Sequence, residues 1–258
     1  GLGATVVAGL SAFVFIDVLS ANLLFLISIL LTGATLAMVI KHIPDTQRVA
    51  AYRRVLWRRL PVQELVSPQV LGWAATLFLI GIAMGLLGPV PRSYSRDVLG
   101  RDMVELIPYL ILPISVAVLA ILPCGVLADK AGRLPPMVIG LGLGAAGLLG
   151  IAMTGSLWAI MGLTTLTLLS FTLTSPAAGA AMMDLTRQET RGLLLGALGA
   201  VQGLGAAVGP SLGGRIYASV EPQAVFYLAA MLLALAMLVA AAQAVVLQQP
   251  KAYALSGA

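Results

Sequence analysis

Charge is scarce in this chain. Asp, Glu, Lys and Arg make up 10% of the 258 residues, whereas hydrophobic residues make up 60%. A water-facing surface needs more polar side chain than that, so a soluble globular protein is excluded. Cysteine and histidine are scarcer still: Cys124 and His42 are each alone of their type. That excludes a disulfide framework, a Cys/His metal cluster and a Cys–His nucleophilic pair, so no metal site is expected. A G-x-x-x-x-G-K-[ST] phosphate loop is also missing, which argues against direct coupling to ATP. No carboxylate falls in the middle of a long apolar run.

What the chain has instead is length of apolar sequence. Eight runs stand out: Gly1 to Ile16, Asn22 to Ile40, Gln69 to Val90, Val104 to Ala128, Leu134 to Met153, Leu157 to Met183, Gly192 to Tyr217 and Gln223 to Leu247. A helix of about 20 residues at about 1.5 Å per residue crosses a hydrocarbon core of about 30 Å. The strands of a membrane barrel are about half as long and alternate apolar with polar residues, which these runs do not. The expected fold is therefore an all-α integral membrane protein with eight transmembrane helices and the lipid bilayer as its solvent.

Basic residues set the orientation. Between positions 41 and 66, Lys41, Arg48, Arg53, Arg54, Arg58 and Arg59 outnumber Asp45 and Glu64 by six to two, a balance of +4 in a chain of net charge +5. The positive-inside rule makes this stretch cytoplasmic. Alternation then places the loops at Asp129 and Glu189 on the same inner side, and the charge-balanced loop from Arg92 to Glu105 outside. Within the stretch, Val49, Tyr52, Leu56 and Leu60 recur at helical spacing while Arg48, Arg54 and Arg58 occupy another side. This predicts an amphipathic helix on the inner leaflet. Anionic lipid and topology account for the basic character, so nucleic acid is not an expected partner. His42, beside Lys41, faces the headgroups on this reading.

One dense polar signature interrupts the apolar sequence, Gly125-Val126-Leu127-Ala128-Asp129-Lys130-Ala131-Gly132-Arg133. This G-x-x-x-D-K-x-G-R loop between two spans resembles the signature loop of the major facilitator superfamily, which joins the second and third helices of each six-helix half. Gly1-Leu2-Gly3-Ala4-Thr5-Val6 matches Gly203-Leu204-Gly205-Ala206-Ala207-Val208 at an offset of 202 residues, about six helices with their loops. Halves related in this way are a property of that family. Asp184-Leu185-Thr186-Arg187-Gln188-Glu189-Thr190-Arg191-Gly192 looks like the turn between its tenth and eleventh helices. Gly209-Pro210-Ser211-Leu212-Gly213-Gly214 is similar to the motif that drug antiporters of the family carry on the fifth helix, although here it falls on the eleventh.

The resemblance implies a domain plan. Residues 1–41 are the last two helices of an N-terminal half, 42–68 the basic linker, 69–248 a complete C-terminal half, and 249–258 a cytoplasmic tail, with helices one to four expected upstream of Gly1. It implies a secondary transporter of a small organic solute, monomeric at full length, in the cell membrane and without a cofactor. If protons or another ion drive the cycle, the coupling acid is expected in those upstream helices, since intramembrane acids are the usual proton sites. A membrane-embedded enzyme and a non-transporting scaffold or receptor are the alternatives. The former lacks any clustered nucleophile, acid pair or metal set in this sequence.

Three groups of residues carry the expected mechanism. Gly125, Asp129, Lys130, Gly132, Arg133 and Arg191 form a conformational latch on the inner side, with Asp129 accepting from an adjacent helix amino end or pairing with Arg133 or Arg191. Gly205, Gly209, Pro210, Gly213 and Gly214 form a close-packing, bendable segment. By resemblance, Trp73, Thr76, Met84, Thr164, Thr167, Ser170, Thr174 and Gln202 are the candidates to line the substrate cavity. Gly142-Leu143-Gly144-Ala145-Ala146-Gly147 satisfies the G-x-G-x-x-G pattern but lies inside an apolar run, where packing and not a dinucleotide explains it.

The orientation is testable. Single cysteines at Arg54, Asp129 and Glu189, in a Cys124-free background, are expected to react with an impermeant thiol reagent only from the cytoplasmic side. Labelling of any of the three from outside sealed cells refutes the topology.

Overall fold

A computed structural model describes residues 67–132, 134–185 and 191–248, together with residues 29, 30, 33, 34 and 38, which are helical. The first apolar run with the first copy of the repeat, most of the second apolar run, the basic stretch from 41 to 66 and the tail from 249 lie outside the described residues.

Every long apolar run among the described residues is a helix. They are α1 (Pro68–Leu87), α2 (Val90–Asp97), α3 (Met103–Lys130), α4 (Leu134–Met153), α5 (Leu157–Leu185), α6 (Arg191–Ser219) and α7 (Pro222–Gln248). Six of them, all but α2, are long and apolar enough to cross a membrane. Their ends follow from local chemistry. The Ser67 hydroxyl accepts from the Val70 N–H at 3.4 Å, and Pro68 occupies the first turn, where no intrahelical donor is needed. Glu105 stands in the first turn of α3 and Lys130 in its last, each matched to the helix dipole. Gly100 and Gly132 turn the chain with φ of +62° and +81°, a region that side-chain-bearing residues rarely enter.

Two of these elements differ from the sequence reading. The segment after α1, read as an outer loop, contains the eight-residue helix α2, held by burial of Val90, Tyr94 and Ser95. The signature read as a loop is mostly helix: α3 runs through Gly125, Asp129 and Lys130, and the turn itself is Ala131 and Gly132. The Ala131 N–H still donates to the Leu127 carbonyl at 2.8 Å, so Gly125 shapes a helix interior and not the turn.

Packing fixes directions. Gly81 and Gly85 of α1 meet Gln202, Ala206 and Gly209 of α6 in ascending order, so these two helices run parallel. Gly140, Gly144 and Gly147 of α4 meet Thr174, Ser170 and Thr167 of α5 in descending order, so that pair is antiparallel. The Gln243 side chain of α7 lies over Gly72 near the start of α1, again antiparallel. The strongest partnerships are α1 with α6 and α7, α4 with α5 and α7, and α3 with α5. Exchanging the first three spans for the last three maps this set of partnerships onto itself. Spans α3 and α6 are the least enclosed: 11% of the α3 window is buried against 50% for α4, which puts α3 at the bundle's edge. Leu112, Leu119 and Leu122 of α3 are correspondingly exposed, as befits contact with lipid.

The α1–α6 contact is backbone on backbone. A Cβ built on Gly209 would lie 2.6 Å from Gly85 Cα, on Gly205 2.5 Å from the Phe78 carbonyl, and on Gly213 2.5 Å from the Leu86 carbonyl. Pro210 leaves the Ala206 carbonyl without its usual helical donor, and that oxygen faces Gly85, whose own Cβ would come within 2.7 Å of it. Gly214, grouped with these glycines in the sequence, meets nothing within 4 Å, because one residue further along turns it about 100° away. Gly192, Gly196, Gly199 and Gly203 likewise meet nothing within 4 Å.

These contacts separate two sets of glycines. Gly209→Leu and Gly213→Leu are expected to insert normally but to lose about 1–3 kcal/mol of bundle stability to overpacking, read as a lower melting temperature in detergent. Gly214→Leu is expected to melt with the parent protein. Equal melting of all three variants would refute the assignment of the seam.

Candidate functional site

The residues singled out from the sequence fall at three places in the bundle. At the end bearing Gly132, the Arg191 guanidinium donates through Nη2 to the Met183 carbonyl at 3.1 Å. The first residue of α6 thereby caps the last turns of α5, where exposed carbonyls and the dipole favour a cation. Lys130 is exposed at the equivalent end of α3. The Asp129 side chain and Arg133 lie outside the described residues, as do residues 186–190.

The second place is the α4–α5 interface. Thr167, Ser170 and Thr174 share one face of α5, and their hydroxyls enter the notches left by Gly147, Gly144 and Gly140. A Cβ on Gly147 would sit 2.5 Å from Thr167 Oγ1. Thr167 also donates to its own Leu163 carbonyl at 2.9 Å, as Thr165 does to Met161 and Thr172 to Leu168, so these hydroxyls are satisfied within the helix. Thr174 differs: it is buried and its hydroxyl has no partner. Two residues further on, Pro176 withdraws the donor that the Thr172 carbonyl would use. These three hydroxyl residues therefore serve helix contact in this conformation, while Thr164 is half-buried. The glycines of the G-x-G-x-x-G pattern are accounted for by the same packing, with Gly142 against Met237 of α7.

The third place is α1. Trp73 and Thr76 are buried in the core, and Thr76 donates to the Gly72 carbonyl at 2.9 Å. The Trp73 indole N–H has no partner. Met84 and Gln202 are half-buried, and the Gln202 carbonyl lies against Gly81. Of the eight cavity candidates, Met84, Thr164, Thr167 and Gln202 thus keep partial access. Among the described residues no group of His, Cys, Asp and Glu is placed to hold a metal ion.

A family model for the Major Facilitator Superfamily matches residues 104–253, more than half of the chain. The chain belongs to the Major Facilitator Superfamily. Its class is that of integral membrane transporters of small solutes and not of enzymes, in keeping with six apolar spans and the absence of strands among the described residues. A search of curated proteins finds no match. The exchange symmetry of the packing partners among the six described spans is the pattern that inverted three-helix repeats produce.

Sequence reasoning named the α6 glycines but not their α1 partners, and it read Gly144 and Gly147 as packing residues without Gly140 and without pairing them to the α5 hydroxyls. Gly81 and Gly85, four apart on α1, carry the same spacing signal as Gly205 and Gly209. Gly140, Gly144 and Gly147, spaced four and three, complement Thr174, Ser170 and Thr167, spaced four and three in the opposite direction.

The Thr174 hydroxyl is a buried polar group without compensation, and removing it abolishes a desolvation cost. Thr174→Val is expected to melt at or above the temperature of the parent protein, whereas Ser170→Leu, which overfills the Gly144 notch, is expected to lose about 1–3 kcal/mol. A Thr174→Val variant destabilised as much as Ser170→Leu would show that this hydroxyl has a partner.

Proposed function

We propose that this facilitator moves a small organic solute, drug-like efflux being one case, across the cell membrane by alternating access. The observation that supports this reading best is the parallel α1–α6 seam, where glycines remove the side chains that would otherwise interlock two helices. Such a seam lets helices shift against each other at small cost, which a carrier needs because both of its end states must be populated in every cycle. On this reading residues 69–248 are the C-terminal half, residues 1–41 the last two helices of the other half, and 42–68 the cytoplasmic linker. The solute contacts Met84, Thr164 and Gln202, and the protein works as a monomer. The membrane-embedded enzyme is disfavoured by membership of a superfamily of transporters.

The signature segment supplies the state-dependent contact. Asp129 lies in the last turn of α3, one residue before its end at Lys130 and close in sequence to the turn that leads into α4, and on this reading it pairs with Arg133 or Arg191. An ionic hydrogen bond at such a boundary is worth about 1.5–3 kcal/mol to the conformer that makes it. Losing it shifts a two-state equilibrium by roughly 10- to 150-fold.

Asp129→Asn is therefore expected to slow dye efflux from cells by about tenfold or more, and to raise thiol labelling at the cytoplasmic ends of α3 and α6, with little change in expression. Unaltered efflux of a panel of lipophilic fluorescent cations together with unaltered labelling refutes the latch.

A further inference from the structure

The end of the bundle opposite Gly132 carries a contact that neither the signature segment nor the cavity candidates use. Tyr217 lies one turn beyond Gly213 on α6 and so continues the line of Gly205, Gly209 and Gly213 at a spacing of four. Gly213 meets the Leu86 carbonyl, in the last turn of α1 before the chain turns at Gly88 and Pro89 into α2. There the Tyr217 hydroxyl donates to Asp97 Oδ2 at 2.7 Å, joining residues 120 apart in sequence.

The acceptor is presented from an anchored platform. Tyr94 of α2 is buried with its ring edge-on to Phe226 of α7, centroids 4.9 Å apart. The Arg96 Nε donates to Asp102 Oδ1 at 2.7 Å, which ties the end of α2 to the start of α3. That hydrogen bond holds the Asp102 carboxyl below its ordinary range and raises the Arg96 guanidinium, so the tie persists through neutral and mildly acidic conditions. Burial pushes the Tyr94 phenol up, so it stays neutral, and its hydroxyl has no partner.

A seam of glycines brings two backbones together but sets no register, because no side-chain knob resists displacement along the helix axis. A short, directional hydrogen bond to a carboxylate does resist it. We propose that Asp97 and Tyr217 form a register clasp: their hydrogen bond holds α6 at one axial position against α1, and its breakage is the event that frees the seam to slide. The purpose of the clasp rests on the alternating-access reading, but its geometry and its test do not.

The test is the distance between spin labels at Leu71→Cys on α1 and Ser211→Cys on α6, both exposed and well separated along the axis, in Cys124→Ser protein reconstituted in lipid nanodiscs. Without solute, the parent is expected to show one dominant distance. Asp97→Asn and Tyr217→Phe are each expected to raise the ratio of a second distance to the first by about tenfold or more. The double variant is expected to go no further than either single one. Tyr94→Phe, which removes a hydroxyl without a partner, is expected to match the parent. A single variant with the parent's distribution overturns the proposal, as does a double variant showing the sum of two separate effects. A variant that fails to fold also counts against it, since a contact that sets register alone leaves the bundle intact. Transport is not read in this experiment, so an efflux assay that fails leaves its outcome unaffected.

Discussion

The rest of this bundle depends on the approach of α1 to α6 at Gly85 and Gly209, where any side chain would strike main chain. Helices in lipid gain no hydrophobic free energy from meeting one another, because lipid tails are as apolar as leucine. What holds them is contact area, weak Cα–H···O interactions and the few hydrogen bonds available. Glycine maximises the first two by letting backbones approach, and Pro210 adds an acceptor by releasing the Ala206 carbonyl toward α1. With α1 set against α6, α7 is placed on the other side of α1, α4 against α7, α5 against α4 and α3 against α5. The order of spans follows from successive pairwise fits around a buried cluster that runs from Trp73 of α1 through Met137 of α4 and Ala177 of α5 to Ala240 of α7.

The second glycine interface solves the same problem in another way. On α4 the glycines face hydroxyl side chains and not a second row of glycines, so Thr167, Ser170 and Thr174 fit as keys in notches. A keyed interface resists sliding, whereas a smooth one does not. The bundle therefore combines a rigid α4–α5 pair with an α1–α6 pair whose register is set elsewhere. Three prolines inside α3 and one each in α5 and α6 withdraw further donors and allow these helices to bend without losing their ends.

Much of this was legible in the sequence, and what was not has a physical reason. The six described spans begin and end within a few residues of the apolar runs, because Ser67-Pro68, Gly132 and Glu221-Pro222 are helix punctuation in any environment. The helix α2 was not legible: only eight residues long, it exists because Val90 and Tyr94 have a bundle to bury against. The signature segment was recognised but read as a loop, since its charges suggest a surface turn, whereas the helix continues until Gly132 allows a positive φ. For the hydroxyl residues of α5 the helical spacing spread them over adjoining faces and did not single out the one that Thr167, Ser170 and Thr174 share. It gave no information on whether that face meets a cavity or a neighbour, because that depends on Gly140, Gly144 and Gly147 in another helix. Asp97 and Tyr217, 120 residues apart, show the same limit more strongly: neither belongs to a local pattern, and only the fold unites them.

The division between smooth seam and charged ends also fits the energetics that a carrier requires. Two conformations can exchange only if they differ by a few kcal/mol, so the apolar depth of the protein must be nearly indifferent to which one is occupied. Interlocked large side chains across α1 and α6 would make one register strongly preferred, with a penalty for any other comparable to a core repacking. Glycine lining keeps that penalty small within the membrane. On the proposed reading the discriminating contacts then belong where water and polar groups are at hand, with the Asp129 latch at one end and Asp97 with Tyr217 at the other. Each can be made in one register and replaced by solvent in the next, so that neither state carries an unpaired charge into lipid.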